Sequence, residues 1–216
     1  MQGLSEESDR VFETVSRLNC VKDFILIGGT ALALQIGHRL SEDLDFCMWP
    51  LPDKADVDWP EILKELSSVF DKIEPDIIGF NQVNFYTEKI KLSFYSNHLY
   101  KSPVSAPISF LNNIRIPDIQ TIGVMKLEVM LRRSSFRDYY DLYSILKENT
   151  SLKSMITGAT NYSNHILKTR DILNFISDGS NFRRDSKFGL LKPMYEVSEN
   201  DIEDFIKKII LKEFHL

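Results

Sequence analysis

The segment from Phe24 to Met48 constrains this chain more than any other. It holds the apolar run FILI, a glycine pair, the helix-forming TALALQI and the alternating DLDFCM. Phe24–Ile27 reads as a short buried strand, Gly28 and Gly29 end it, and Thr30 is placed to cap a helix through Ile36. From Asp43 to Trp49 the alternation sets Asp43, Asp45 and Cys47 on one face and Leu44, Phe46 and Met48 on the other. The order is therefore strand, glycine turn, helix, strand.

That order carries chemistry. A helix N-terminus presents unpaired backbone N–H groups and partial positive charge, and glycines before it allow a phosphate to approach closely. Two carboxylates at i and i+2 on a strand project the same way and can reach one or two divalent ions. A phosphate cradle beside an aspartate pair supplies what phosphoryl-type transfer requires. Each element alone has a plainer reading: a Gly-Gly turn punctuates chains, and a DxD on a strand edge can be a solvated pair. A haloacid-dehalogenase phosphatase would place its aspartates directly after the first strand, whereas a helix intervenes here. A dinucleotide fold would want GxGxxG, which is absent.

The rest of the chain frames this segment. Val11, Phe12, Val15 and Leu18 at helical spacing predict an opening amphipathic helix over 5–18. Asp58 with Glu61, and Pro60 in the first turn, predict a capped helix through about Phe70. Ile77–Tyr86 and Lys89–Tyr95 predict a hairpin around Thr87-Glu88. Pro103, Pro107 and Pro117 then punctuate the chain, and beyond Asp118 the pattern turns helical. Helices are expected from Asp118 to about Arg133, over Phe136–Lys147, and from Ser198 along Ile202, Phe205, Ile206, Ile209 and Ile210. An α+β fold follows, with a core lobe over 1–116 and a helical lobe over 117–216.

Composition narrows the function classes. With 216 residues and 43% hydrophobic content the chain can bury a substantial core. The formal charge of −5 argues against a broad nucleic-acid track. Residues 1–116 hold 11 basic against 17 acidic side chains and the remainder 15 against 14, so an RNA partner would favour the second half. No apolar run reaches the roughly 18–20 residues of a bilayer-spanning helix, and the acidic MQGLSEESDR is unlike a secretory signal. A cytoplasmic location without membrane attachment is expected. Cys20 and Cys47 lack metal or disulfide spacing and are expected as free, buried thiols.

GGTALALQIGHRLSEDLDF resembles the first motif of the AbiEii/AbiGii nucleotidyltransferases, the toxin or abortive-infection branch of the polymerase-beta-like superfamily. Ile90-Lys91-Leu92-Ser93-Phe94 falls where that family has its strand motif. Asp118–Leu146 falls on its third motif, a helical lysine followed by [RK]-D-x-x-D-L, here Lys126 and then Arg137-Asp138-Tyr139-Tyr140-Asp141-Leu142. Three motifs in order over 24–146 are far more specific than any one.

The resemblance implies a mixed nucleotidyltransferase sheet followed by a helical lobe. Asp43 and Asp45 would bind Mg²⁺, while Gly28, Gly29 and Thr30 would hold the β- and γ-phosphates of an NTP. Lys126 would contact the nucleotide from across the cleft, with a solvated or core-covering lysine as its structural alternative. Arg39 would steady the aspartate strand or reach phosphate, and His38 would make a structural hydrogen bond. Asp138 and Asp141 would serve the cleft or the scaffold, the latter through an i,i+4 pair between Arg137 and Asp141. Lys91 would assist on phosphate. The implied reaction moves NMP to an acceptor hydroxyl, on a tRNA 3′ end or a protein, with a cognate antitoxin as partner. The sequence departs from the pattern at Ser93, where many superfamily members carry a third carboxylate. A member that binds nucleotide or a partner with weak or no transfer is the alternative reading.

Overall fold

A computed structural model describes residues 1–48, 56–79, 81–96, 105–163 and 166–215. It divides into two compact units, Met1–Asp118 and Ile119–Leu216.

The first unit opens with α1 (Glu6–Val15). Ser5 Oγ caps it by accepting from Ser8 N at 3.1 Å, Glu6, Glu7 and Asp9 complement the helix dipole, and Val11, Phe12 and Val15 are buried. Then come β1 (Ile25–Ile27), α2 (Gly28–Ile36), β2 (Leu44–Met48), α3 (Trp59–Ser67), β3 (Glu74–Gly79), β4 (Gln82–Thr87) and β5 (Ile90–Ser96). A two-stranded ribbon, β6 (Ile108–Leu111) and β7 (Ile114–Ile116), completes the unit.

The main sheet has the order β1-β2-β5-β4-β3, with β2 and β5 parallel and the other pairs antiparallel. Its two faces have opposite character. Leu44, Phe46, Leu92, Phe94, Val83 and Phe85 form one face and are fully buried. Phe46 stacks on Phe94 at 4.9 Å between ring centroids, and Phe24 and Phe85 meet the Phe94 ring edge-on. Because side chains alternate along a strand, a one-residue slip would turn these rings outward. The aromatic cluster thus fixes which way Asp45 and Ser93 point.

Several elements differ from the sequence expectation. The single strand read over Ile77–Tyr86 is two antiparallel strands, β3 and β4; Phe80 lies outside the described residues. β3 begins earlier because it is an edge strand, where Pro75 costs no ladder hydrogen bond. The β4–β5 turn centres on Glu88-Lys89, both at positive φ, one residue later than expected. Asp58 Oδ1 accepts from Glu61 N at 3.2 Å as the N-cap of α3, which ends at Ser67. Trp49 and Pro103 lie outside the described residues. Neither cysteine forms a disulfide; Cys47 is buried, but Cys20 is only half-buried.

The second unit consists of α4 (Ile119–Met130), α5 (Phe136–Lys147), α6 (Leu152–Tyr162), α7 (Thr169–Ile176) and α8 (Glu199–Phe214), with short 3₁₀ turns at 179–181 and 188–191. Ser198 and Asp201 form a reciprocal capping box on α8. Tyr139 stacks on Phe182 at 3.9 Å and Phe136 meets Phe188 edge-on, so α5 serves as the central apolar helix. Among the described residues no helix is long and apolar enough to cross a membrane.

Candidate active site

β1 delivers the chain directly into α2, and Gly28 makes the joint. Its φ of +73° lies in the left-handed region that side chains disfavour, and a Cβ there would lie 3.4 Å from Asp45 Oδ2. At Gly29 a Cβ would lie 2.3 Å from Arg39 Nη2. The glycine pair therefore admits a carboxylate on one side and a guanidinium on the other.

Thr30 does not cap α2. The N-cap is Ile27, without a side-chain hydrogen bond. Thr30 instead donates to the backbone carbonyl of Asp43 and lies 2.8 Å from Ser41 Oγ. Ser8 Oγ donates to the Glu42 carbonyl at 2.9 Å. The residues leading into β2 are held from two helices, which orients Asp43 before the strand begins. The N-cap residue Ile27 offers no side-chain acceptor to the first-turn N–H groups of α2.

Asp43 and Asp45 sit half-exposed on the polar face of the sheet. Asp43 Oδ2 is 3.5 Å from Lys91 Nζ, and the two side chains are 47% and 34% exposed, so the contact is weak and leaves room for a stronger cation. Ser93 is in register with Asp45, and Asn84 on β4 is in register with Ser93. Sequence reasoning missed Asn84; the alternation within Gln82–Thr87 places it on the polar face, but its opposition to Ser93 depends on the β4–β5 turn. Among the described residues no cluster of three or more His, Cys, Asp or Glu side chains is arranged to hold a metal, in keeping with serine at position 93.

Arg39 is buried, donates from Nη1 to the Leu40 carbonyl at 3.0 Å, and lies against Gly29. A cation beside a helix N-terminus opposes the helix dipole. An anion at the same point would be attracted by both. His38 is buried at the end of the same helix.

Lys126, Asp138 and Asp141 form a separate cluster within the helical unit. Lys126 Nζ is 2.7 Å from Asp138 Oδ1 and 2.6 Å from Asp141 Oδ2, and only 7% of its side chain is exposed. Arg133 Nε donates to Asp138 Oδ2 at 2.8 Å. Lys126 is thus neither a solvated nor a core-covering lysine. The i,i+4 pair between Arg137 and Asp141 is absent, since Arg137 pairs with Asp185 at 2.8 Å and Asp141 with Lys126. Burial alone would push the Asp138 carboxyl up, but Lys126 and Arg133 together outweigh it and hold the group below the usual aspartate range.

Known proteins agree with this architecture. The family model described as nucleotidyl transferase AbiEii toxin, type IV TA system, matches residues 11–213. An uncharacterized protein of Aquifex aeolicus (strain VF5) is 29% identical over 151 residues, covering 69% of this chain and 70% of the relative. A crystal structure from H. pylori, provisionally described as a nucleotidyltransferase, shares the fold with a TM-score of 0.60 at 19% identity, over 98% of both chains. MenT4, a nucleotidyltransferase toxin from Mycobacterium tuberculosis H37Rv, shares it with a TM-score of 0.60 at 16% identity, over 93% of this chain and 82% of its own. With a family match across nearly its whole length, on the fold of these two structures, the chain belongs to the AbiEii nucleotidyltransferase toxin family of type IV toxin–antitoxin systems.

Proposed function

We infer that this nucleotidyltransferase moves NMP from an NTP to an acceptor hydroxyl at the face formed by the Gly28-Gly29 turn and β2. The observation that carries the reading is the joint itself: Asp45 Oδ2 lies over Gly28 while Arg39 lies over Gly29, at an uncapped helix N-terminus. A triphosphate's negative oxygens suit the N–H groups and Arg39, and Lys91 adds a further cation at the rim.

The donor set fits Mg²⁺. Asp43 and Asp45 offer hard carboxylate oxygens on one face and remain half-exposed. Mg²⁺ is commonly held by one or two carboxylates together with substrate phosphates and water, so serine at 93 is compatible with it. When bound, the ion would neutralise phosphate charge and polarise the α-phosphate. The residues orient the rest: the turn holds the β- and γ-phosphates, and an acceptor oxygen bonds to the α-phosphorus as the bond to pyrophosphate breaks. The acceptor proton passes to the Asp45 carboxylate and on to solvent.

The acceptor is a tRNA 3′ end or a protein hydroxyl, and the cell context is a toxin with a cognate antitoxin, in the cytoplasm. Lys126, Asp138 and Asp141 act by holding α4 to α5, with their mutual pairing as support. Ser93 supports a second reading, a member whose transfer is slow beside its nucleotide binding. Incubation with labelled NTP, Mg²⁺ and total tRNA or lysate tests both: transfer marks an acceptor, and Asp45→Ala abolishes the mark. An Asp45→Ala protein that labels as well as wild type rules the mechanism out, and NTP binding without any labelling favours the second reading.

A further inference from the structure

The two aspartates of the sheet are held by different means. Asp45 sits inside β2, in register with Ile27 on one side and Ser93 on the other, so two ladders fix its backbone. Asp43 precedes β2, whose first ladder pair with β5 is Leu44 with Leu92. Its position therefore depends on contacts from elsewhere in the chain.

Most of those contacts come from residues 3–8. Gly3 O accepts from Ser41 N at 2.9 Å and Ser5 N donates to Ser41 O at 3.3 Å, a parallel bridge centred on Leu4. Ser8 is fully buried; its Oγ donates to Glu42 O at 2.9 Å and lies 2.8 Å from Ser5 Oγ. Thr30 then takes the Asp43 carbonyl. Each of residues 41, 42 and 43 thus has a backbone group bonded by a residue distant in sequence.

Gly3 lets this strap lie flat on α2. Its φ is +85°, and a Cβ there would lie 2.2 Å from the Ala33 carbonyl oxygen, so a side chain at this position would lift the strap away. Gln2 continues over the end of the same helix, where a Cβ on Gly37 would lie 2.3 Å from its Nε2. Ser5 closes the strap and caps α1, which anchors strap and helix as one piece. Burial of Leu4 accounts for the attachment of the strap. It does not account for a hydroxyl at position 8, where alanine would fill nearly the same space; that hydroxyl acts on the Glu42 carbonyl.

We propose that the strap of residues 2–5 and Ser8 are positioning residues for nucleotidyl transfer: they set where Asp43 stands relative to Asp45, and with it the affinity of the pair for a divalent cation. Mg²⁺ demands near-ideal octahedral geometry, so a carboxylate whose backbone drifts holds it poorly. Losing a group that orients a metal-binding side chain typically costs on the order of 10- to 100-fold in affinity. Neither Gly3 nor Ser8 touches the ion or the nucleotide; both act through residues 41–43. This inference rests on the transfer reading above.

The test uses the full chain with Gly3→Ala and Ser8→Ala. Ser144→Ala serves as control, since it removes a buried hydroxyl that donates to the Tyr140 carbonyl at 2.8 Å in the helical unit. Mn²⁺ affinity is measured in the presence of NTP by electron paramagnetic resonance, and amide exchange is followed by NMR without metal. Gly3→Ala and Ser8→Ala are each expected to weaken Mn²⁺ binding roughly tenfold and to speed exchange of the Ser41 amide roughly tenfold, while amides within β2 keep the wild-type rate. Ser144→Ala is expected to match wild type in both. Wild-type Mn²⁺ affinity in a folded strap variant, or an equal loss in Ser144→Ala, overturns the proposal and leaves nucleotidyl transfer intact. So does exchange that rises throughout the sheet, or loss of the fold in both strap variants, since the strap would then be scaffold for the whole unit. A wild type that takes up no Mn²⁺ with NTP overturns both.

Discussion

The two acidic clusters of this protein have similar composition and opposite physics. On the sheet, Asp43 and Asp45 are half-exposed, and Asp43 meets its cation only at 3.5 Å. In the helical unit, Asp138 and Asp141 are buried and bond Lys126 at 2.7 and 2.6 Å. Charges locked together in the interior hold elements in place but are poorly available to a ligand, because removing either partner strands the other. A half-exposed carboxylate with a long cation contact, as at Asp43, contributes little to stability. On the proposed function, the contrast separates scaffold from site.

The largest effect that would sharpen this contrast is on catalysis. Asp45→Asn should cut nucleotidyl transfer by roughly a thousandfold while the melting temperature stays near wild type. A variant that unfolds instead would make Asp45 a scaffold residue. Lys126→Met should do the reverse in kind, lowering unfolding stability in urea by about 3–5 kcal/mol, because two buried carboxylates lose their ammonium. A Lys126→Met protein as stable as wild type would contradict the scaffold role.

A smaller effect concerns pH. The Asp138 carboxyl titrates below its unfolded value, so the unfolded chain binds its proton first as pH falls. Its contribution is present above the ordinary aspartate pKa of about 3.9 and disappears as pH drops through the lower folded value. Denaturation curves between neutral and acidic pH should show this loss in wild type and a flatter profile in Asp138→Asn. The smallest effect is at the turn. Gly29→Ala drives a methyl into the Arg39 guanidinium and should weaken NTP binding by calorimetry roughly tenfold, within the 1–3 kcal/mol typical of overpacking. Unchanged affinity would remove Arg39 from the phosphate site.

Much of this was legible from local pattern. The alternating segment read from Asp43 to Trp49 contains β2, which spans Leu44–Met48, and α5 appears over Phe136–Lys147 as its periodicity predicts. Local pattern failed where a residue's role is set by something distant in sequence. Thr30 looked like a cap, yet its hydroxyl is taken by the Asp43 carbonyl. The strand expected from Ile77 begins at Glu74, because an edge position, which tolerates Pro75, is a property of the whole sheet. Asn112-Asn113, between Phe110-Leu111 and the alternating Ile114-Arg115-Ile116, is a local signal for the β6–β7 ribbon. At the site, the glycines and aspartates announce themselves by spacing. Asn84 does not, because its place beside Ser93 depends on register between strands.

The most direct measurement is a titration of the protein with Mn²⁺ in the presence of NTP, read by electron paramagnetic resonance, for wild type, Asp45→Asn and Asp138→Asn. The account predicts NTP-dependent Mn²⁺ binding in wild type, loss of that binding in Asp45→Asn, and its retention in whatever fraction of Asp138→Asn is folded. Undiminished binding in Asp45→Asn, with loss in folded Asp138→Asn, would reverse the assignment of site and scaffold.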